Sequence, residues 1–237
     1  MSIIMQNRIT TVKPIDNPQH ISLLLPTRGK PAHLSKVLDS IENTVGNPDG
    51  IDIWIYVDND DDITKRYIET EQYLEYSFKI NWVTGKRTIS QGEMANALWK
   101  SCTTNSGIYV PWNDDYLFKS SNWDSAIRDT FNRHPGQMVL AYIKDPLMGG
   151  ADHITLPVLC AEWTNVTGKL LTYFFPFWFD DTWLDQVGQM VQRKVRIEGI
   201  KIEPIQGKGK TARLKNLLFW HTFFDNLIND CYIESDD

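Results

Sequence analysis

Two short apolar runs with a helical pattern between them, Ile21 to Leu25 and Ile51 to Val57, constrain this chain more than any other feature. Runs so short and so apolar suit strands buried on both faces. Between them Pro31 stands near a helix start, and Leu34, Val37, Leu38 and Ile41 share one face of that helix. Gly46-Asn47-Pro48-Asp49-Gly50 then ends it. Strand, helix and strand over this span make a right-handed crossover, which demands a parallel pair. The first run ends in Pro26-Thr27-Arg28-Gly29-Lys30-Pro31, the second in Asp58-Asn59-Asp60-Asp61-Asp62. A third β-prone run, Tyr109-Val110-Pro111-Trp112, ends in Asn113-Asp114-Asp115 before Tyr116-Leu117-Phe118. Acids at the ends of neighbouring strands can converge on a hard divalent cation whose shell phosphate oxygens complete. These ends therefore predict a nucleotide and metal site at one edge of a parallel sheet.

The rest of the first half keeps the alternation. The pattern predicts a helix over Ile63 to Tyr76, a strand over Phe78 to Val83, and a helix over Gly92 to Ser101 with Met94, Ala97 and Leu98 inward. A fourth strand, Gly107 to Trp112, delivers the Asn-Asp-Asp triplet. Alternation of this kind builds a doubly wound α/β sheet, whose ligands bind outside the carboxyl ends of the strands. The second half is less regular: a helix over Trp123 to His134, a strand over Gln137 to Ile143, and a Gly-bearing loop over Asp145 to Thr155. A helix over Asp181 to Arg193 follows, then a strand or hairpin over Val195 to Ile205, a basic loop from Gln206 to Lys210, and a closing helix over Leu214 to Ile228. No internal repeat or linker divides the chain, so a single domain over 1–237 is expected.

Composition narrows the function. The chain has 237 residues, long enough for a substantial core, and a net charge of −6 that argues against a broad nucleic-acid surface. Its three cysteines, Cys102, Cys160 and Cys231, lie far apart without metal spacing, which favours a reducing compartment. The N-terminus lacks the apolar core of a signal peptide. The longest apolar stretch, Leu170 to Phe179, is too short and too interrupted by Pro176 to span a bilayer. A cytoplasmic protein without a membrane span is the expectation.

Over most of residues 21–205 the chain resembles the nucleotide-diphosphosugar glycosyltransferases of the GT-A fold, family-two-like. The resemblance is carried by Leu24-Leu25-Pro26-Thr27-Arg28-Gly29, Val57-Asp58-Asn59-Asp60, Met94-Ala95-Asn96-Ala97, Trp112-Asn113-Asp114-Asp115 and Phe179-Asp180-Asp181-Thr182-Trp183-Leu184. It implies a Rossmann-like, mostly parallel central sheet flanked by helices. About 1–118 would form the nucleotide-sugar-binding half and 119–237 the acceptor-binding half. The implied activity moves a sugar from a UDP- or GDP-sugar to a hydroxyl of a glycan or other acceptor, with inversion.

The resemblance also implies roles. Asp58 matches the acid that accepts a hydrogen bond from the nucleobase, with a solvated turn as the plain alternative. Asp60, Asp61 and Asp62 read as helix-start acids. Pro26, Thr27 and Arg28 fall beside the nucleotide, with Lys30 either there or on the surface; Arg87, Gln91 and Asn96 fall where relatives contact the nucleotide or donor sugar. Asn113-Asp114-Asp115 occupies the Asp-x-Asp position, with Asp115 as first metal ligand for Mn²⁺ or Mg²⁺, Asp114 second, and Asn113 turned to the ribose. Asp181 matches the general base that deprotonates the acceptor, with Asp180 as its neighbour; a helix cap is the alternative. Trp178 and Trp183, with His153, are acceptor candidates, though aromatics are more often core. Lys208 and Lys210, with Arg213, either clamp the diphosphate or form a solvated loop.

One departure stands out: relatives often supply a late His to the metal, and here Ile202-Glu203-Pro204-Ile205-Gln206 has none, leaving Glu203, Gln206 or His221 as substitutes. Two rival functions follow. A sugar-nucleotide nucleotidylyltransferase would need a more Gly-rich first loop than Pro26-Thr27-Arg28-Gly29-Lys30. A non-catalytic nucleotide- or carbohydrate-binding module would fit the missing His and the amide at Asn113.

Overall fold

A computed structural model describes residues 14–136, 138–148, 151–175, 179–205 and 217–233. The first half alternates β1 (Asn17–Thr27), α1 (Pro31–Glu42), β2 (Ile51–Asp58), α2 (Asp62–Glu69), β3 (Lys79–Gly85), α3 (Gln91–Ser101) and β4 (Ser106–Pro111). The second half adds β5 (Tyr116–Phe118), α4 (Trp123–Asn132), β6 (Leu140–Ile143), β7 (Leu156–Cys160), α5 (Ala161–Thr167), α6 (Asp180–Met190), β8 (Lys194–Ile197), β9 (Ile202–Pro204) and α7 (Leu217–Ile233).

One sheet runs β3-β2-β1-β4-β7-β6-β8. The pairs among β1 to β4 are parallel, as is β6 with β8, while β7 is antiparallel to both its neighbours. β5 and β9 form a separate antiparallel pair. The inner strands are buried on both faces, while the edge strands β3 and β8 are half-exposed, which is why the inner ones read as near-continuous apolar runs. Leu23, Leu25, Ile53 and Ile55 meet Leu34, Val37, Leu38 and Ile41 of α1 on one side. Leu24, Trp54 and Tyr56 meet Ala95, Leu98 and Trp99 of α3 on the other.

Register brings the three polar strand ends level: Thr27 lies beside Val57, Asp58 beside Gly85, and Leu24 beside Pro111. The Asn-Asp-Asp turn after β4 is anchored from below. Trp112, Phe118 and Trp123 form a continuous aromatic stack, with centroid separations of 4.2 Å at both steps. The Ile205 amide closes it by donating to the Asp115 carbonyl at 2.6 Å.

Several boundaries differ from expectation. The helix after β2 stops at Glu69 because Glu71 takes a left-handed φ of 56° and a 3-10 turn follows. α3 turns Ala95, Asn96, Leu98 and Trp99 inward, while Met94 and Ala97 are only half-buried. Val195 to Ile205 is no hairpin: β8 joins the main sheet and β9 pairs with β5. The strand β7 and helix α5 were not foreseen, because Pro157 in Leu-Pro-Val-Leu-Cys argues against a strand inside a sheet.

Candidate active site

Pro157 also explains the cavity. The β4–β7 ladder holds only Ile108 with Cys160 and Tyr109 with Leu159. Continued by two steps, that register would set Pro111 against Pro157. The Trp112 amide donates to Leu24 of β1 at 2.9 Å, so alternate β4 amides face β1 and the nitrogen of Pro111 faces β7. Neither proline has an N–H, the ladder cannot continue, and the strands part. A cavity of about 200 Å³ lies in the gap, lined by Pro26, Gln91, Pro111, Asn113, Thr155, Pro157, Leu171, Asp180 and Asp181 among others.

Its acids come from the start of α6. Phe179, just before the helix, has a left-handed φ of 75°, a conformation that costs a non-glycine residue roughly 1 kcal/mol or more. Stacking of its ring on Phe224 of α7, at 5.2 Å, holds it there. Asp180 and Asp181 thereby occupy the first turn and face the cavity. The Asp181 amide donates to Asp180 Oδ1 at 2.9 Å, and the Thr182 amide donates to Asp181 Oδ1 at 2.7 Å. Burial, then the adjacent Asp181 charge, pushes the Asp180 carboxyl up to about 7. Burial raises Asp181 too, against the Thr182 amide and the charge of His153. Carboxyls so placed are suited to proton transfer near neutrality.

Beside the cavity, the loop after β1 ties the acidic strand ends together residue by residue. The Thr27 hydroxyl donates to Asp114 Oδ2 at 2.9 Å. Arg28 Nη1 donates to Asp58 Oδ2 at 2.7 Å and to Asp60 Oδ1 at 2.6 Å. The Gly29 amide donates to Asp61 Oδ2 at 2.8 Å, and Lys30 Nζ lies 3.6 Å from Asp114 Oδ1. Asp60, more than Asp58, holds the Arg28 guanidinium protonated, and Arg28 in turn lowers Asp60. Asp61 caps α2 by accepting from the Thr64 amide, as a helix-start acid should.

Two carboxylate oxygens here are buried without a hydrogen-bond partner among the described residues: Asp58 Oδ1 and Asp115 Oδ1. Burial first, and then Asp114, raises Asp115. An orphaned anionic oxygen suits a cation, so Asp115 fits the metal-ligand role, whereas Asp114 is already engaged by Thr27 and Lys30. Among the described residues no three His, Cys, Asp or Glu side chains group to hold a metal ion. Any cation there would draw the rest of its shell from phosphate and water.

Other candidates sit elsewhere. Asn96 is buried and turned to the backbone: its amide nitrogen donates to the Gly92 and Leu171 carbonyls at 2.7 Å each, and its oxygen accepts from the Leu170 amide at 2.7 Å. Trp183 packs edge-on against Phe174 at 6.3 Å. His153 is half-buried, 3.4 Å from the Thr155 hydroxyl. Arg87 lies 3.9 Å from Asp60. Glu203 pairs with Lys119 at 3.0 Å, and His221 with Asp225 at 2.8 Å. Trp178, Gln206, Lys208, Lys210 and Arg213 lie outside the described residues. The wall residues Pro111, Thr155 and Pro157 escaped the sequence reading, since a cavity between parted strands is invisible until both strands are recognised.

The overall shape decides the fold. The S. aureus TarS fragment 1-349, solved with UDP-GlcNAc, superposes with a TM-score of 0.66 at 11% identity, covering 85% of this chain and 64% of the fragment. The mannosyltransferase PcManGT from Pyrobaculum calidifontis, solved with GDP-Man and Mn²⁺, gives 0.61 at 14% identity, covering 78% and 58%. This chain has the GT-A fold. The chain spans less than two thirds of the length of either of those structures. No protein-family model matches the sequence, and no curated protein matches it. Among the described residues of this GT-A chain, no helix is long and apolar enough to cross a membrane.

Proposed function

We propose that the chain is a glycosyltransferase that moves a sugar from a UDP- or GDP-sugar to a hydroxyl of a glycan or other acceptor, with inversion. The observation that carries the reading is the cavity that Asp180 and Asp181 line together with Asn113, the residue that leads directly into the Asp114 and Asp115 turn. The nucleobase meets Asp58 Oδ1, with Arg28 fixing the carboxylate from its other oxygen. The diphosphate lies at the Asp114 and Asp115 turn, and Asn113 meets the ribose. Asp115 is the residue suited to hold Mn²⁺ or Mg²⁺, with Asp114 behind it. When bound, such an ion neutralises the diphosphate and favours its departure.

In the transfer the acceptor oxygen attacks the anomeric carbon as its proton passes to Asp181. The bond from that carbon to the diphosphate oxygen breaks, and the nucleoside diphosphate leaves with the electron pair. Asp180, whose carboxyl burial pushes up to about 7, still carries its proton part of the time near neutral pH and so limits the negative charge beside the base. The engagement of Asp114 by Thr27 and Lys30 favours one second reading, a nucleotide-binding module without turnover.

Thermal shifts with UDP, GDP, UDP-sugars and GDP-sugars, each with and without Mn²⁺, test the donor site. Stabilisation by a nucleoside diphosphate is expected, and none from any of them would remove the proposal. Sugar release by the wild type that is lost in Asp181→Asn separates transferase from binding module.

A further inference from the structure

We propose that Lys30 binds the diphosphate of the donor directly, giving the site a cation of its own at the end of β4. The proposal rests on the nucleotide-diphosphate reading above and adds a residue to it.

Lys30 is not a free surface lysine. The loop leading to it is fixed at Thr27, Arg28 and Gly29 by four acids, Asp114, Asp58, Asp60 and Asp61. Its side chain is 29% exposed and its partner Asp114 is 12% exposed. The partnership is incomplete. At 3.6 Å the ammonium is close enough for charge attraction but too far for a hydrogen bond. Among the described residues its three N–H donors make no hydrogen bond, and the nearer demand of Asp114 is met by the Thr27 hydroxyl at 2.9 Å. Neighbouring cations are committed: Arg28 to Asp58 and Asp60, Arg87 to Asp60, and Lys65 to the Asn59 carbonyl and Asp62.

Charge count points the same way. Where an Asp-x-Asp turn would bring a first carboxylate, this chain has the neutral Asn113. Two acids and one lysine remain, and the lysine's field reaches Asp115 as well as Asp114. A turn with one acid fewer and one ammonium more attracts an anion better before any divalent ion arrives. An ammonium with open donors, held by an acid behind it, is a phosphate ligand in chemistry and position.

The backbone of Lys30 precedes α1, but its side chain makes no capping bond there, so replacing it leaves the helix start intact. Calorimetric titration of wild type, Lys30→Met and Lys30→Arg with UDP and UMP, in EDTA and in Mn²⁺, is the test; GDP and GMP replace them if guanine is the base preferred. The wild type is expected to keep measurable diphosphate binding in EDTA. Lys30→Met should weaken the diphosphate at least tenfold while changing the monophosphate less than twofold, and Lys30→Arg should recover most of the loss. A parallel fall for both nucleotides would make Lys30 structural, and no change in either would remove it from the site. Absence of all nucleotide binding by the wild type, with or without Mn²⁺, overturns the donor site itself and Lys30 with it.

Discussion

The β4–β7 register, continued two steps beyond its last paired residues, would set Pro111 against Pro157, and neither offers the amide that would join them. The gap that results is where Asn113, Thr155, Asp180 and Asp181 meet. Pro157→Val restores one donor to the ladder. The added bond contributes about 1 kcal/mol, and the lost rigidity of proline in the unfolded chain offsets a similar amount. The expected result is little change in melting temperature and a clear fall in donor turnover as the strands close. Unchanged turnover with a rebuilt ladder would show that the cavity plays no part.

The pH dependence of folding and of catalysis should run in opposite directions. Asp180 titrates at about 7 in the fold against an ordinary 3.8, so the folded state holds the extra proton between those values. Stability therefore falls as pH rises through that window, by roughly 4 kcal/mol at the outside. Asp180→Asn should flatten much of this slope in denaturant titrations from pH 4 to 8. The transfer rate should instead rise with pH as the raised Asp181 ionises.

Asp115→Asn separates stability from ligand use. Its Oδ1 is buried with no partner among the described residues, a cost to the folded protein that a neutral amide reduces. The variant should melt at the same temperature as wild type or up to a few degrees higher. Added Mn²⁺ with nucleoside diphosphate should then no longer raise its melting temperature beyond the effect of the nucleotide alone. A metal effect equal to that of wild type would place the ion elsewhere.

Legibility divided along the chain for physical reasons. Up to Pro111 the inner strands are buried on both faces and α1 has one apolar face, so Ile21 to Leu25, Leu34 to Ile41 and Ile51 to Val57 read directly as β1, α1 and β2. After it the signals conflict: Pro157 masks β7, and β8 and β9, adjacent in sequence, serve different sheets. Asp180 and Asp181 were legible as a helix start, but their exposure to the cavity depends on the left-handed Phe179, which no propensity favours. Asn96 shows the limit of residue chemistry. A buried amide must find partners, and its partners are the backbone at Leu170 and Leu171.

That bond set predicts where the cavity wall is most easily broken. Asn96 ties α3 to the segment before α6, and Gly92, one turn earlier, lies flush against it. A Cβ built on Gly92 would stand 2.0 Å from the Thr172 carbonyl oxygen, a backbone atom that cannot swing aside. Gly92→Ala must push that segment off the helix, at a cost of about 1–3 kcal/mol. Asn96→Ala leaves the same buried backbone groups unpaired and costs a similar amount. Both changes free one contact surface, so together they should cost less than the sum of each alone. Gln91 and Leu171 line the cavity from the two sides of this joint, so donor turnover should fall in both variants even at temperatures where they remain folded. Denaturant midpoints for the two single variants and the double variant, with turnover measured below the transition, check both claims; strict additivity would mean that the two residues act on different surfaces.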